Sequence, residues 1–193
     1  MPFRPPPSTA SWLHREARSG FEVAYFQAAE SGWVIDGTTA AVEDGQTWVV
    51  TYSIELDAAW VTRRAHIGAR TVAGSRETRL ESDGAGRWLI NGAPAPDLNG
   101  CLDVDLESSA MTNTLPVHRL DLPIGAQAGA PAAYVRALDL TVERLEQTYL
   151  RIADQDAYHR YSYSAPAFGF TGCLVYDEDG LVIDYPGIAL RAR

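Results

Sequence analysis

Apolar and polar residues alternate along much of this chain with a period of two, the spacing of a strand that buries one face. In TWVVTYSIEL, Trp48, Val50, Tyr52, Ile54 and Leu56 fall on one side; Thr47, Thr51, Ser53 and Glu55 fall on the other, with Val49 the exception. FEVAYF alternates too, setting Phe21, Val23 and Tyr25 against Glu22 and Ala24. FGFTGCLVYDEDGLVIDY predicts a hairpin. Phe168, Phe170, Leu174 and Tyr176 lead into an Asp-Glu-Asp-Gly turn, and Leu181, Ile183 and Tyr185 lead back. Gly32 and the stretches 43–45, 83–86 and 91–99 supply the turn formers between strands.

Two segments depart from this pattern. SSAMTNTLPVHRL (108–120) carries helix-start residues, and Pro116 is expected to limit any helix ahead of it to a turn or two. TVERLEQTYLRI (141–152) spaces Val142, Leu145, Tyr149 and Ile152 as a helix would, yet Leu145, Gln147 and Tyr149 also alternate. Periodicity fits both, with strand the preferred reading.

The predicted fold is mainly β: a single large curved antiparallel sheet, a β-roll or half-barrel of about ten strands with one or two short helices. A sheet of that size twists and curls, and with little helix to cover it the sheet must close over itself. Five Trp, nine Tyr and five Phe would then either line an interior that their own side chains leave partly empty or fill it as an ordinary packed β-core; the expected function rests on the first.

Length and composition narrow the class. At 193 residues and 46% hydrophobic the chain suits one folded domain, expected over 12–193 behind a disordered lead-in, MPFRPPPSTAS, over 1–11. A net charge of −9 without a basic stripe argues against nucleic acid and anionic lipid headgroups as partners. The sixteen basic residues are all arginine, which excludes Schiff-base and P-loop chemistry. No apolar run is long enough for a transmembrane span, and the N-terminus lacks a signal-peptide core, so the expected location is the cytoplasm. Cys101 and Cys173 stand far apart outside any C-x-x-C and read as reduced thiols.

Several stretches resemble one family. LDAAWVTRRAHI, GRWLINGAPAPDLNGCLDVDLESSAMTNTLPVHRLDL, EQTYLRI and DEDGLVIDYPGIALR are similar to the putative glycolipid-binding family of bacterial proteins, formerly a domain of unknown function. The most specific pieces are G-C-x-D-V-D-L followed by T-N-T-L-P-x-x-R-L, and the closing Asp184-Tyr185-Pro186-Gly187. Ala110-Met111 stands where the family pattern leads one to expect Pro-Phe. The resemblance implies a curved antiparallel sheet like that of the carriers that hold lipoprotein acyl chains, and a role in binding glycolipid.

The candidate chemistry is then read residue by residue. In CLDVDLE, Leu102, Val104 and Leu106 oppose Asp103, Asp105 and Glu107. Three like charges on one strand face repel unless a cation answers them, so Asp103, Asp105 and Arg119 are expected to form a structural network, with Arg63 a further candidate; a solvated acidic face is the main alternative, and a metal or catalytic role the lesser one. The Thr112-Asn113-Thr114 hydroxyls and amide suit either a self-bonded turn or contacts to sugar hydroxyls. The ligand-lining set is taken as Trp60, Arg63, Asn113, Arg119, Gln147, Tyr149, Tyr161 and Tyr185. His14, His66, His118 and His159 are each isolated, with no metal-ligand spacing, so neither a metal nor a cofactor is implied. The expected function is non-catalytic binding of an amphipathic, glycolipid-like ligand in an apolar cavity. One alternative is a lipid or glycoside hydrolase using His118 and an acidic partner; another is a ligand-free interaction module forming a homodimer.

Overall fold

The computed structural model describes residues 3–192. Among the described residues seventeen strands follow in chain order. The first eight are β1 (Thr9–His14), β2 (Ser19–Ala29), β3 (Gly32–Glu43), β4 (Gln46–Asp57), β5 (Thr62–Thr71), β6 (Gly74–Ser82), β7 (Trp88–Ile90) and β8 (Ala93–Pro94). After β9 (Asp103–Leu106) comes the short helix α1 (Thr114–Leu120), then β10 (Gln127–Gly129), β11 (Ala132–Val135) and β12 (Val142–Leu145). The chain ends with β13 (Thr148–Gln155), β14 (Tyr158–Ala165), β15 (Phe170–Tyr176), β16 (Val182–Tyr185) and β17 (Ala189–Arg191).

Fourteen of these form one antiparallel sheet in the order β10-β13-β14-β15-β16-β17-β1-β2-β3-β4-β5-β6-β7-β8. The two chain ends meet in its middle, where Trp12 of β1 lies opposite Arg191 of β17. The sheet is not closed: β10 and β8 are its edges. The remaining strands make a small sheet, β12-β11-β9, in which β11 and β9 run parallel.

The mainly-β expectation and the strand assignment for 141–152 match this architecture, with β12 and β13 dividing the segment. Several details differ. Strand β1 starts at Thr9 and Phe3 packs on His118, both within the stretch 1–11 expected as a lead-in, of which residues 1 and 2 lie outside the described residues. The helix runs through Pro116 instead of stopping before it, because the proline falls in the first turn of α1, where its missing N–H costs least. In β2 the buried face is Glu22, Ala24 and Phe26, while Phe21 and Tyr25 are exposed. Register decides this: Glu22 lies opposite Trp12 on one side and Thr39 on the other, both fully buried, so the carboxylate shares their face. In the C-terminal hairpin Leu181 and Val182 are both buried, an irregularity of register that interrupts the simple alternation. Phe168 precedes that hairpin on a single 3₁₀ turn.

The greatest difference concerns the interior. The predicted hollow is occupied by the chain itself. Leu98, Cys101, Val104, Leu106, Met111, Leu115, Ala133 and Val135, all from residues 96–145, pack in one core with Trp12, Trp48, Val50, Ile54 and Ile67 of the large sheet. A second core gathers Tyr149, Tyr161, Tyr163, Leu174 and Tyr176 with Val117 of α1. The inserted segment therefore acts as a plug on the sheet's inner face, and aromatic residues expected to line a void are packed instead.

Candidate functional site

Between the plug and strands β14–β16 a cleft of about 230 Å³ remains. Its floor carries Asp105, Ser109 and Asn113; Tyr163, Phe170 and Tyr185 form one wall, and Tyr134, Arg136 and Phe168 another. Arg18 and Glu107 complete the polar lining.

Strand β9 is buried on both faces, so each of its aspartates needs a partner. Asp103 has Arg119 of α1, which makes a two-pronged contact through Nε at 2.9 Å and Nη2 at 2.5 Å. Asp105 has no arginine. It accepts hydrogen bonds from Thr112 Oγ1 at 2.8 Å and from Gln147 Nε2, and burial pushes its carboxyl up to about 6 despite them. The expected Asp–Arg network thus takes in Asp103 and Arg119, while Asp105 is hydrogen-bonded by uncharged partners. Beside them stands Tyr149, whose hydroxyl donates to Asn113 Oδ1 at 2.9 Å.

The turn that carries Ser109 and Asn113 is held from below by Glu22. This carboxyl is fully buried and accepts from Tyr52 Oη at 2.7 Å, from Ser109 Oγ and from the Ala110 N–H at 2.8 Å. Burial raises its pKa, against the pull of those donors. Tyr52 reaches Glu22 from two strands away by lying over Gly37 of β3. A Cβ built on Gly37 would stand 2.1 Å from Tyr52 Cζ, so glycine is required by close approach. Thr39 Oγ1 adds a bond of 2.8 Å to the Ser108 carbonyl. The Ala110-Met111 turn, where Pro-Phe was expected, therefore uses the Ala110 backbone N–H, a donor proline would lack.

The aromatic walls are layered. Tyr163 and Phe170 meet Tyr185 edge to face, with centroids 5.9 and 5.5 Å apart. Across the cleft the Arg136 guanidinium lies over both Tyr134, at 5.2 Å, and Phe168, at 5.6 Å. The same guanidinium pairs with Glu143 at 2.8 Å and Glu107 at 3.3 Å.

Of the residues taken from sequence as ligand-lining, Asn113 and Tyr185 line this cleft. Gln147 and Tyr149 stand behind it and orient Asp105 and Asn113. Arg119 is engaged with Asp103. Three lie elsewhere. Trp60, in the β4–β5 turn, stacks on His118 with centroids 3.7 Å apart. Arg63 sits near Asp57, at 3.6 Å. Tyr161 lies under Arg151 beside a separate depression of about 500 Å³. Residues the sequence reading passed over include Arg18, Glu22, Ser109, Tyr134, Arg136, Tyr163 and Phe170.

His118 has no acidic partner within hydrogen-bond reach among the described residues. Its Nε2 bonds the Asp179 carbonyl at 2.9 Å, its ring is packed between Phe3 and Trp60, and burial lowers it to about 4. Cys101 and Cys173 are both free. No group of three or more His, Cys, Asp or Glu among the described residues is arranged to hold a metal ion. None of their helices is long and apolar enough to cross a membrane.

The two largest of the other depressions are poorer candidates. In that of about 620 Å³ along β6–β8, Asp83 and Arg87 pair with each other and Ser82 caps the Gly84 N–H. At the 500 Å³ depression, Arg151 is occupied by Asp154, His159 and two carbonyls. The smaller cleft differs in leaving free a donor of a largely buried lining residue. Asn113 is 4% exposed, and its Nδ2 makes no hydrogen bond among the described residues.

Comparison with known proteins agrees with the fold. A family model described as "Putative glycolipid-binding" matches residues 9–191. The chain belongs to this family. A crystal structure of a DUF1089 family protein from Pseudomonas aeruginosa superposes with a TM-score of 0.76 at 29% identity, covering 98% of this chain and 95% of that one. A beta-barrel-like protein of domain of unknown function DUF1849 from Brucella abortus covers the same shares, at 13% identity with a TM-score of 0.55, a likeness of fold alone. A search of curated proteins finds no match.

Proposed function

We propose that the protein binds a glycolipid-like amphipath without turning it over, and that recognition begins with the sugar headgroup in the Asn113–Tyr185 cleft. The observation that carries this reading is the cleft's composition: aromatic walls around a floor of buried, oriented amide, hydroxyl and carboxyl groups. Ring faces suit the C–H surfaces of a sugar, while Asn113 Nδ2 and Asp105 offer a donor and an acceptor for its hydroxyls. Size points the same way. A cavity of about 150 Å³ holds a benzene-sized ring, so 230 Å³ accommodates one sugar ring and not a long acyl chain. The tail of such a ligand would remain outside the cleft. The family's description supports the ligand class.

Competition tests the headgroup reading. Octyl glucoside, kept below its micelle concentration, should raise the melting temperature. Methyl glucoside should compete with it, octanol should not, and Asn113→Ala should abolish the effect in a protein that still unfolds cooperatively. Competition by octanol alone would place the tail, not the sugar, in the site.

A further inference from the structure

The cleft holds one feature that a neutral sugar leaves unanswered. Arg18, in the β1–β2 connection, lines it with a side chain only 6% exposed. Nη1 donates to the Glu107 carbonyl at 2.8 Å. Nε is buried without a hydrogen-bond partner, its nearest carboxylate being Glu43 at 3.6 Å, and Nη2 makes no hydrogen bond among the described residues. The ion pair with Glu43 answers part of the charge without completing a hydrogen bond, and a desolvated guanidinium with donors left unbonded stays costly.

The surroundings hold further buried polar groups without partners. Trp48, under the Arg18 guanidinium at 5.3 Å, has a buried Nε1–H with no partner, a group that can only donate. Both ring nitrogens of buried His14 lack partners as well. Burial and the Arg18 charge hold that imidazole down at about 4, so it is neutral and supplies no second cation. The cleft's own carboxylates do not reach Arg18 as ion-pair partners: Glu107 is bonded to the Ala137 N–H and Arg136, and Asp105 to Thr112 and Gln147.

We propose that Arg18 receives an oxyanion carried by the bound headgroup, so that the ligand class is an acidic glycoside bearing a carboxylate or a phosphate. This rests on the headgroup reading above and narrows it. A planar guanidinium that lines the cleft with Nη2 uncommitted matches either oxyanion, and charge-assisted hydrogen bonds are about twice as strong as neutral ones. The chain's net charge of −9 opposes long-range attraction of an anion, so selectivity arises at contact and not by steering.

Calorimetric titration of the full chain tests this with four probes: methyl glucoside, methyl glucuronide, glucose 1-phosphate and inorganic phosphate. At least one acidic glycoside should bind about tenfold tighter than methyl glucoside, a difference of about 1.4 kcal/mol. Arg18→Gln should erase that preference, bringing the ratio of acidic to neutral glycoside affinity down to about one. Which acid is preferred identifies the oxyanion. Equal binding of neutral and acidic glycosides overturns the proposal and leaves the headgroup reading standing; so does inorganic phosphate binding as tightly as glucose 1-phosphate. Failure of every probe overturns both. The comparison among probes uses the unaltered protein, so it decides the matter even if Arg18→Gln fails to fold.

Discussion

Replacing Gly37 by alanine adds one methyl group and should disable the support beneath the cleft. The new Cβ would lie 2.1 Å from Tyr52 Cζ, 2.2 Å from Oη and 2.6 Å from Cε2, so the ring must leave its place. Leaving breaks the 2.7 Å bond to Glu22, a fully buried carboxyl with no ion-pair partner among the described residues. Losing a buried bond of that kind costs about 1.5–3 kcal/mol, and forcing an extra methyl into a packed layer costs about 1–3 kcal/mol. Alanine recovers roughly 0.5–1 kcal/mol through its lower unfolded-state entropy. The net loss should be about 2–5 kcal/mol, read from denaturant unfolding or as a melting temperature lowered by about 2–4 °C per kcal/mol. Tyr52→Phe, which removes only the hydroxyl, should cost about 1–3 kcal/mol. The decisive comparison is Gly37→Ala in a Tyr52→Ala background, where the obstructing ring is gone and the alanine should be neutral or stabilising. A Gly37→Ala single variant as stable as the parent, or one equally damaging in both backgrounds, would refute this account of the Tyr52–Glu22 contact.

Arg119→Met strands Asp103 as an unpaired buried carboxylate and should destabilise by about 3–5 kcal/mol, with Asp103→Asn in the same chain restoring part of the loss; chemical denaturation of the three proteins checks this. Asp105 holds its proton more tightly folded than unfolded, at about 6 against 3.8. Its contribution is therefore fully present below about pH 4 and is lost as the pH rises through about 6, on the order of 3 kcal/mol in all. Stability curves of the parent and Asp105→Asn should diverge across that window, with the parent relatively more stable at the acid end; parallel curves would show that Asp105 does not titrate there.

The strands were legible because their alternation is local. Trp48, Val50, Tyr52, Ile54 and Leu56 share a buried face as their spacing requires. What alternation does not determine is which face turns inward when both carry apolar residues. In β2, Phe21, Val23 and Tyr25 outweigh Ala24 by hydrophobicity, yet pairing with β1 and β3 turns Glu22 inward. Gly37 within a strand was the available sign of a close approach, but its partner Tyr52 and the reach to Glu22 depend on register. The site was partly legible for a related reason. Asn113 and Tyr185 lie in uncommon local words, whereas Arg18, Tyr134 and Phe170 come together only when the plug seats against the sheet. That the inserted segment fills the predicted hollow is likewise a long-range packing result.

Backbone amide NMR during titration with methyl glucuronide and methyl glucoside tests the central claim most directly, since it reports where a headgroup binds. The account predicts saturable shifts concentrated at Ser109, Asn113, Tyr163 and Tyr185, with Arg18 responding to the acidic probe. Shifts gathered along β6–β8 instead, or a spectrum unchanged by either probe at millimolar concentration, would contradict it.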